Sequence, residues 1–247
     1  MTLSIQDSLK DLVQHTHGIG VISMLKIAGT TEKTTINAYD QEKRSVILNA
    51  EFKEPIGEFI GEFGMANLDR LNTILNIPVY KDDAKISIQT QKDNDGNDVP
   101  SGVNFVSEQG DFKNNYRFLS ASVINDKLKN VTMKNVPWQV EFVPTQLNIQ
   151  KLKFQTSAHS DAIKFSSKVE DGALIFSFGD HSSHAGSFQF ASDVGFSSKQ
   201  QEWPLAVINT ILSLNGDKTF KISDAGVAEI TVDSGLVVYR YLIPAVL

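Results

Sequence analysis

Apolar residues at Ile5, Leu9, Leu12 and Val13 recur at the spacing of one helical face. Ser4 stands where its hydroxyl caps the first turn, Asp7 follows three residues on, and Gly18 marks the end, so the pattern predicts a short amphipathic helix over 4–17. The period then drops to two, with β-branched runs at 21–26, 34–40 and 45–52 that read as an antiparallel meander. Helical spacing returns at Leu68, Leu71, Ile74 and Leu75, and Pro78 stops it, which predicts a helix over 67–76. Strands are expected again at 85–91, 103–107 and 116–120. Gly57, Gly61 and Gly64 lack the spacing of a phosphate-cradling loop or a dinucleotide fingerprint and read as loop and bulge positions.

The second half replays this order. A strand at 139–143 precedes a helix at 145–157, whose apolar set (Leu147, Ile149, Leu152, Phe154) fits neither period cleanly. Strands at 163–169 and 173–178 flank Asp171-Gly172, a strong hairpin signal, and another strand is expected at 187–191. Pro204 opens a helix carrying Leu205, Ile208, Ile211 and Leu212 that ends at Asn215-Gly216. Three closing strands are expected at 219–223, 228–232 and 236–243. Two copies of one pattern in 247 residues predict an α+β protein of two repeated domains, each with two helices packed on antiparallel sheets. Residues 1–124 form the first domain and 138–247 the second, joined by a lysine-rich, weakly patterned linker over 125–137.

Hydrophobic residues at 41% and charged residues at 21% exclude a mainly disordered or collagenous chain. The absence of cysteine excludes disulfides, cysteine-ligated metal and thiol chemistry, and points to a reducing compartment. Acids near the start and the lack of a long apolar run argue against a signal peptide or a membrane span. The net charge of −6 disfavours a protein that grips nucleic acid over its whole surface, but it allows a basic stripe on an acidic body.

Catalytic chemistry finds little support. Asp93 to Asp98 misses the calcium-loop spacing, because its glycine comes early and no glutamate closes it; Asp95-Gly96 reads as a hairpin turn. His181 and His184 beside Asp180 sit in a Ser/Gly-rich tip and read as a surface loop with no metal. No nucleophile elbow, zinc helix or paired-carboxylate context is present, so neither enzymatic activity nor a cofactor is expected. The four helical segments carry Lys10, Arg70, Lys151 and Lys153 against Asp7, Asp11 and Asp69. That sign suits helices meeting phosphate, and ordinary solvated helix faces explain it equally well.

With the repeated architecture stand four local stretches: the opening helix LSIQDSLKDLVQ, the helix MANLDRLNTILNI, the hairpin VEDGALIF and the end VVYRYLIP. The chain resembles the sliding clamps, the DNA polymerase processivity factors, and among them those of T4-like phages; its end is similar to the Tyr-Leu-x-Pro terminus of eukaryotic clamps. The resemblance implies a ring, closed as a homotrimer, that encircles duplex DNA without sequence preference and tethers a DNA polymerase after loading by a clamp-loader ATPase, in the cytoplasm of an infected bacterium. It implies that Lys10, Arg70, Lys151 and Lys153 face the central hole, and that residues 116–120 of one subunit lie beside 187–191 of the next. Partner peptides would dock in a groove beneath the linker, formed by Tyr39, Val46, Val131, Met133, Tyr241, Leu242 and Pro244. The segment 92–100 and the weakly basic last helix depart from the family's pattern. Two other readings stay open: an α+β assembly protein with no DNA role, and a β-barrel module binding a small ligand.

Overall fold

Capping decides where the first helix begins: Ser4 Oγ accepts from the Asp7 N–H at 3.4 Å, and α1 (Ile5–His15) buries Leu9, Leu12 and Val13. The computed structural model describes residues 4–81, 84–93, 96–129, 131, 135–179 and 184–246. The chain divides into two units, the first comprising Met1–Glu42, Leu48–Val131 and Ser234–Tyr239, the second Lys43–Ile47, Thr132–Asp233 and Arg240–Leu247.

In the first unit, β1 (Met24–Gly29), β2 (Thr34–Tyr39), β3 (Ile47–Phe52) and β4 (Gly61–Ala66) pair in the order β4-β1-β2-β3. The helix α2 (Leu68–Leu75) then packs against α1, and β5 (Lys85–Lys92), β6 (Asp98–Val106) and β7 (Lys113–Arg117) make a separate meander. β8 (Leu119–Ser120) returns to β4, and α3 (Ala121–Lys127) follows. The second unit opens with β9 (Val140–Phe142) and α4 (Gln146–Ala158). Its strands β10 (Lys164–Glu170), β11 (Ala173–Phe178), β12 (Gly186–Ala191) and β13 (Gln201–Pro204) pair in the order β13-β10-β11-β12. After α5 (Leu205–Ser213) come β14 (Asp217–Ser223), β15 (Val227–Asp233) and β16 (Val237–Pro244), in the order β9-β14-β15-β16. In each half the fourth strand after the helix pairs with the first, and a helix then leads into a three-stranded meander. The duplication read from periodicity is therefore a duplication of topology.

Both cores are built from helix faces laid on alternating strand positions. Leu9, Leu12, Leu68, Leu71 and Ile74 are buried in the first unit with Leu25, Ile27, Phe63 and Met65. An aromatic cluster fills the second, where Phe176 stacks on Phe190 at 4.3 Å and meets Phe165 at 4.6 Å. Trp203, fully buried, donates from Nε1 to Ser167 Oγ at 2.7 Å. α4 explains its mixed pattern: Ile149 and Leu152 pack inward while Leu147 and Phe154 are 66% and 69% exposed. Apolar residues on two faces cancel any helical period.

Several elements differ from expectation. Gly61 and Gly64 lie inside a full strand, β4, paired along its length with β1. Gly64 is required there by steric contact, since a Cβ would meet the Ile124 side chain at 2.6–2.7 Å. Ile124 belongs to α3, which occupies the start of the predicted linker and packs on β4; the chain crosses between units after Val131. The buried Lys26 secures this helix by donating to Asn125 Oδ1 at 3.1 Å and pairing with Glu62 at 3.7 Å, while Asn125 Nδ2 donates to Glu62 and Gln41 Nε2 donates to the Lys127 carbonyl. The strand expected at 116–120 is split between β7 and β8, because the chain changes partner there, from β6 to β4. β13, also unforeseen, ends at Pro204, whose extended backbone caps α5. Replacing Gly64 with alanine will displace α3; overpacking of this kind costs about 1–3 kcal/mol. It will appear as a lowered thermal midpoint and faster amide exchange across Ala121–Lys127.

Candidate functional site

The outward helix faces carry the candidate cations. On α1, burial of Ser8, Leu9, Leu12 and Val13 leaves Asp7, Lys10 and Gln14 exposed; on α2, burial of Leu68, Leu71 and Ile74 leaves Asp69, Arg70 and Thr73 exposed. Lys10 and Arg70 therefore each have an exposed acid on their own helix. The second unit differs. α4 carries Lys151, exposed, and Lys153, half-buried, with no acidic residue, and α5 carries no charge at all. Among these helices, α4 alone carries lysines without an acid.

A further lysine lies within electrostatic reach of Lys153. Lys218 on β14 is buried and donates from Nζ to the Gly216 carbonyl at 2.8 Å. Burial holds its ammonium below the ordinary lysine value; Asp217 opposes this and the positive charge of Lys153 adds to it. Sequence reading missed Lys218 because it sits in a strand, where nothing in the local pattern relates it to a residue on α4. Tyr116, on β7 of the first unit, is held neutral: burial, and then the charge of Asp69, raise its hydroxyl well above the usual value while it donates to the Ala66 carbonyl at 2.6 Å.

The proposed partner-peptide residues fall into two sets. Val46, Tyr241, Leu242 and Pro244 belong to the second unit, Tyr39 and Val131 to the first, and Met133 lies outside the described residues. Val46, Tyr241 and Leu242 are buried core positions, whereas Pro244 and Val131 are exposed and Tyr39 is half-exposed. Side chains already packed cannot meet a peptide unless their neighbours move, so the accessible members are Tyr39, Val131 and Pro244. Alternation along β16 accounts for much of this, with Val237, Tyr239 and Tyr241 all facing inward.

β7 and β12 are among the strands that end a sheet. β7 terminates the order β5-β6-β7, and β12 terminates β12-β11-β10-β13. Apolar side chains lie near each. Phe112, 44% exposed, immediately precedes β7 and contacts Tyr80, whose neighbour Val79 is half exposed; α4, bearing Phe154, packs against β12. Gly186 permits that packing, since a Cβ there would strike Gln155 and His159 at 2.7–2.8 Å. His184 is exposed; Asp95 and His181 lie outside the described residues, and among those described no cluster of three metal-ligating side chains occurs. No helix among them is long and apolar enough to cross a membrane.

No protein-family model and no curated protein matches this sequence. Solved structures do. A structure described as the C-terminal region of FEN-1 bound to A. fulgidus PCNA superposes with a TM-score of 0.69 at 8% identity, covering 98% of this chain and 96% of that one. PCNA from Thermococcus kodakaraensis gives 0.68 at 11% identity over 99% and 98% of the two chains. Proliferating Cellular Nuclear Antigen from Entamoeba histolytica gives 0.70 at 9% over 98% and 96%. At such identities the likeness lies in the backbone, and over nearly its whole length this chain has the fold of the PCNA-type sliding clamps.

Proposed function

We propose that this chain is a DNA sliding clamp, a non-catalytic ring that encircles duplex DNA and tethers a replicative polymerase. The observation that carries the reading is the doubled topology, matched end to end by PCNA structures, together with a helix surface on the second unit that bears lysines and no acid. Processivity in such a protein comes from enclosure. A few weak phosphate contacts from Lys10, Arg70, Lys151 and Lys153 allow sliding, where a strongly basic surface would hold the ring in place.

The free sheet edges support ring closure. Pairing β7 of one copy with β12 of the next satisfies two rows of backbone groups and covers Phe112 and Phe154. Such a heterologous contact repeats head to tail, and two units per chain close a pseudo-six-fold ring as a homotrimer. One of the similar structures is a PCNA bound to the C-terminal region of FEN-1. By that analogy this clamp takes C-terminal tails of its polymerase and of a loading ATPase, with Tyr39, Val131 and Pro244 as accessible contacts and Met133 in the covering linker. T4-like phage origin and action in the cytoplasm of an infected bacterium belong to the same proposal.

The test is topological. Loaded by its ATPase onto nicked circular DNA, the chain will co-migrate with the circle and will be lost when the circle is linearised. Equal retention on linear and circular DNA, or none on either, would remove the clamp reading in favour of an assembly protein.

A further inference from the structure

The loop 192–200 between β12 and β13 is held from three sides. The Val194 N–H donates to the Gly172 carbonyl at 3.0 Å, in the turn between β10 and β11. Gly195 lies so close to the segment before β9 that a Cβ would fall 2.1 Å from the Gln139 carbonyl oxygen. Asp224, in the turn between β14 and β15, accepts from Ser197 Oγ at 2.6 Å and from Ser198 Oγ at 2.9 Å, and its own N–H donates to Gln139 Oε1 at 2.7 Å. Lys199 Nζ donates to the Asp224 carbonyl at 2.8 Å, which keeps that cation at the turn. The Ser197 hydroxyl bond, foremost among these contacts, holds the Asp224 carboxyl below its ordinary value, so it stays ionised as an acceptor.

At the centre of this pinned loop Phe196 is 79% exposed, although Val194 and Ser197 on either side are buried. A large aromatic side chain left in water on a loop fixed by buried neighbours pays little ordering entropy when it is covered. Asp193 precedes Phe196 in the same loop, and the bond from Val194 to Gly172 ties that loop to the turn carrying Asp171; both acids are exposed with left-handed backbone (φ 54° and 48°), so the backbone fixes their places, while the loop's own cation, Lys199, is bonded to the Asp224 carbonyl. An aromatic knob with an acidic rim repels duplex DNA and anionic membranes. A second copy of this chain carries the same net charge of −6, which opposes its approach.

We propose that Phe196, flanked by Asp171 and Asp193, is a docking knob for a basic protein surface containing an apolar pocket, and that the DNA polymerase of the proposed function carries it. The proposal rests on the clamp reading, because a polymerase that grips phosphate presents basic surface of this kind. It places a polymerase contact on the second unit that is independent of the C-terminal tail site.

The experiment titrates the chain with the polymerase encoded in the same genome, in the absence of DNA. Phe196→Ala will weaken binding at least about tenfold with the thermal midpoint unchanged. Asp171→Asn with Asp193→Asn keeps the left-handed turns, which asparagine tolerates, and will weaken binding about three- to tenfold while flattening its salt dependence. Asp224→Ala will weaken binding with Phe196 intact, because the loop loses its anchor. Wild-type affinity in Phe196→Ala would overturn the knob; if that variant still stays on circular DNA, the clamp reading survives alone. A loss of trimer mass in Phe196→Ala would assign the residue to a subunit contact and would also overturn it.

Discussion

Charge reversal of Lys151 and Lys153 together will all but abolish binding of the free protein to short linear duplexes at low salt, a loss of about two orders of magnitude. Each phosphate contact adds about 0.9 to the slope of log affinity against log salt, so removing two lowers that slope by about 2, and the glutamates add repulsion. The paired change Lys10→Glu and Arg70→Glu will do less, because Asp7 and Asp69 already offset those cations on the same helices. Electrophoretic or fluorescence titration over a salt series measures both slopes. Retention on circular DNA will fall less than equilibrium binding in every variant, since enclosure does not depend on affinity. Equal effects from the two pairs would mean that α4 is not the principal phosphate-facing surface.

Replacing Trp203 with alanine will produce the largest loss of stability, about 3–5 kcal/mol for truncating a buried aromatic of this size. The side chain is fully enclosed and its indole N–H is bonded to Ser167 Oγ, so the change opens a cavity and leaves a buried hydroxyl without its donor. Denaturant unfolding followed by the remaining tryptophan, Trp138, or by circular dichroism, gives the number. Trp203→Phe keeps most of the volume and will recover more than half of it. A loss under 1 kcal/mol for the alanine variant would contradict the packing described for the second unit.

Elements whose buried residues recur locally were legible before any coordinates: α1, α2 and α5 each show one apolar face and a stop signal, and the Asp171-Gly172 turn joins β10 to β11 as its dipeptide implies. β4 was illegible because its glycines look like loop, and only the approach of Ile124 across the sheet explains Gly64. α3 buries little beyond Ile124 along its own length, so no period marks it. Lys10, Arg70 and Lys151 could be assigned to exposed helix positions from spacing alone, whereas Lys218 required the fold to bring its charge within reach of Lys153. Tyr241 and Leu242 were read as groove floor from the likeness of the terminus; strand alternation and core packing bury them. Phe196 carries no signal in the sequence, since its exposure follows from the anchoring of the loop around it.

The return of Ser234–Tyr239 to the first unit has a consequence for synthesis. Asp11 on α1 accepts at Oδ2 from Ser234 Oγ at 3.0 Å and from Tyr239 OH at 2.8 Å, and the same tyrosine stacks on His15 at 4.5 Å. Tyr239 follows Asp11 by 228 positions. At about 5–20 residues per second, a ribosome needs roughly 10–45 s to cover that distance. The amino-terminal helix therefore emerges long before its partners exist, and the first unit completes its polar core only after nearly all of the second has been translated. A nascent chain stalled before residue 234 carries an unfinished first unit, so folding of the two halves is ordered by translation to end together.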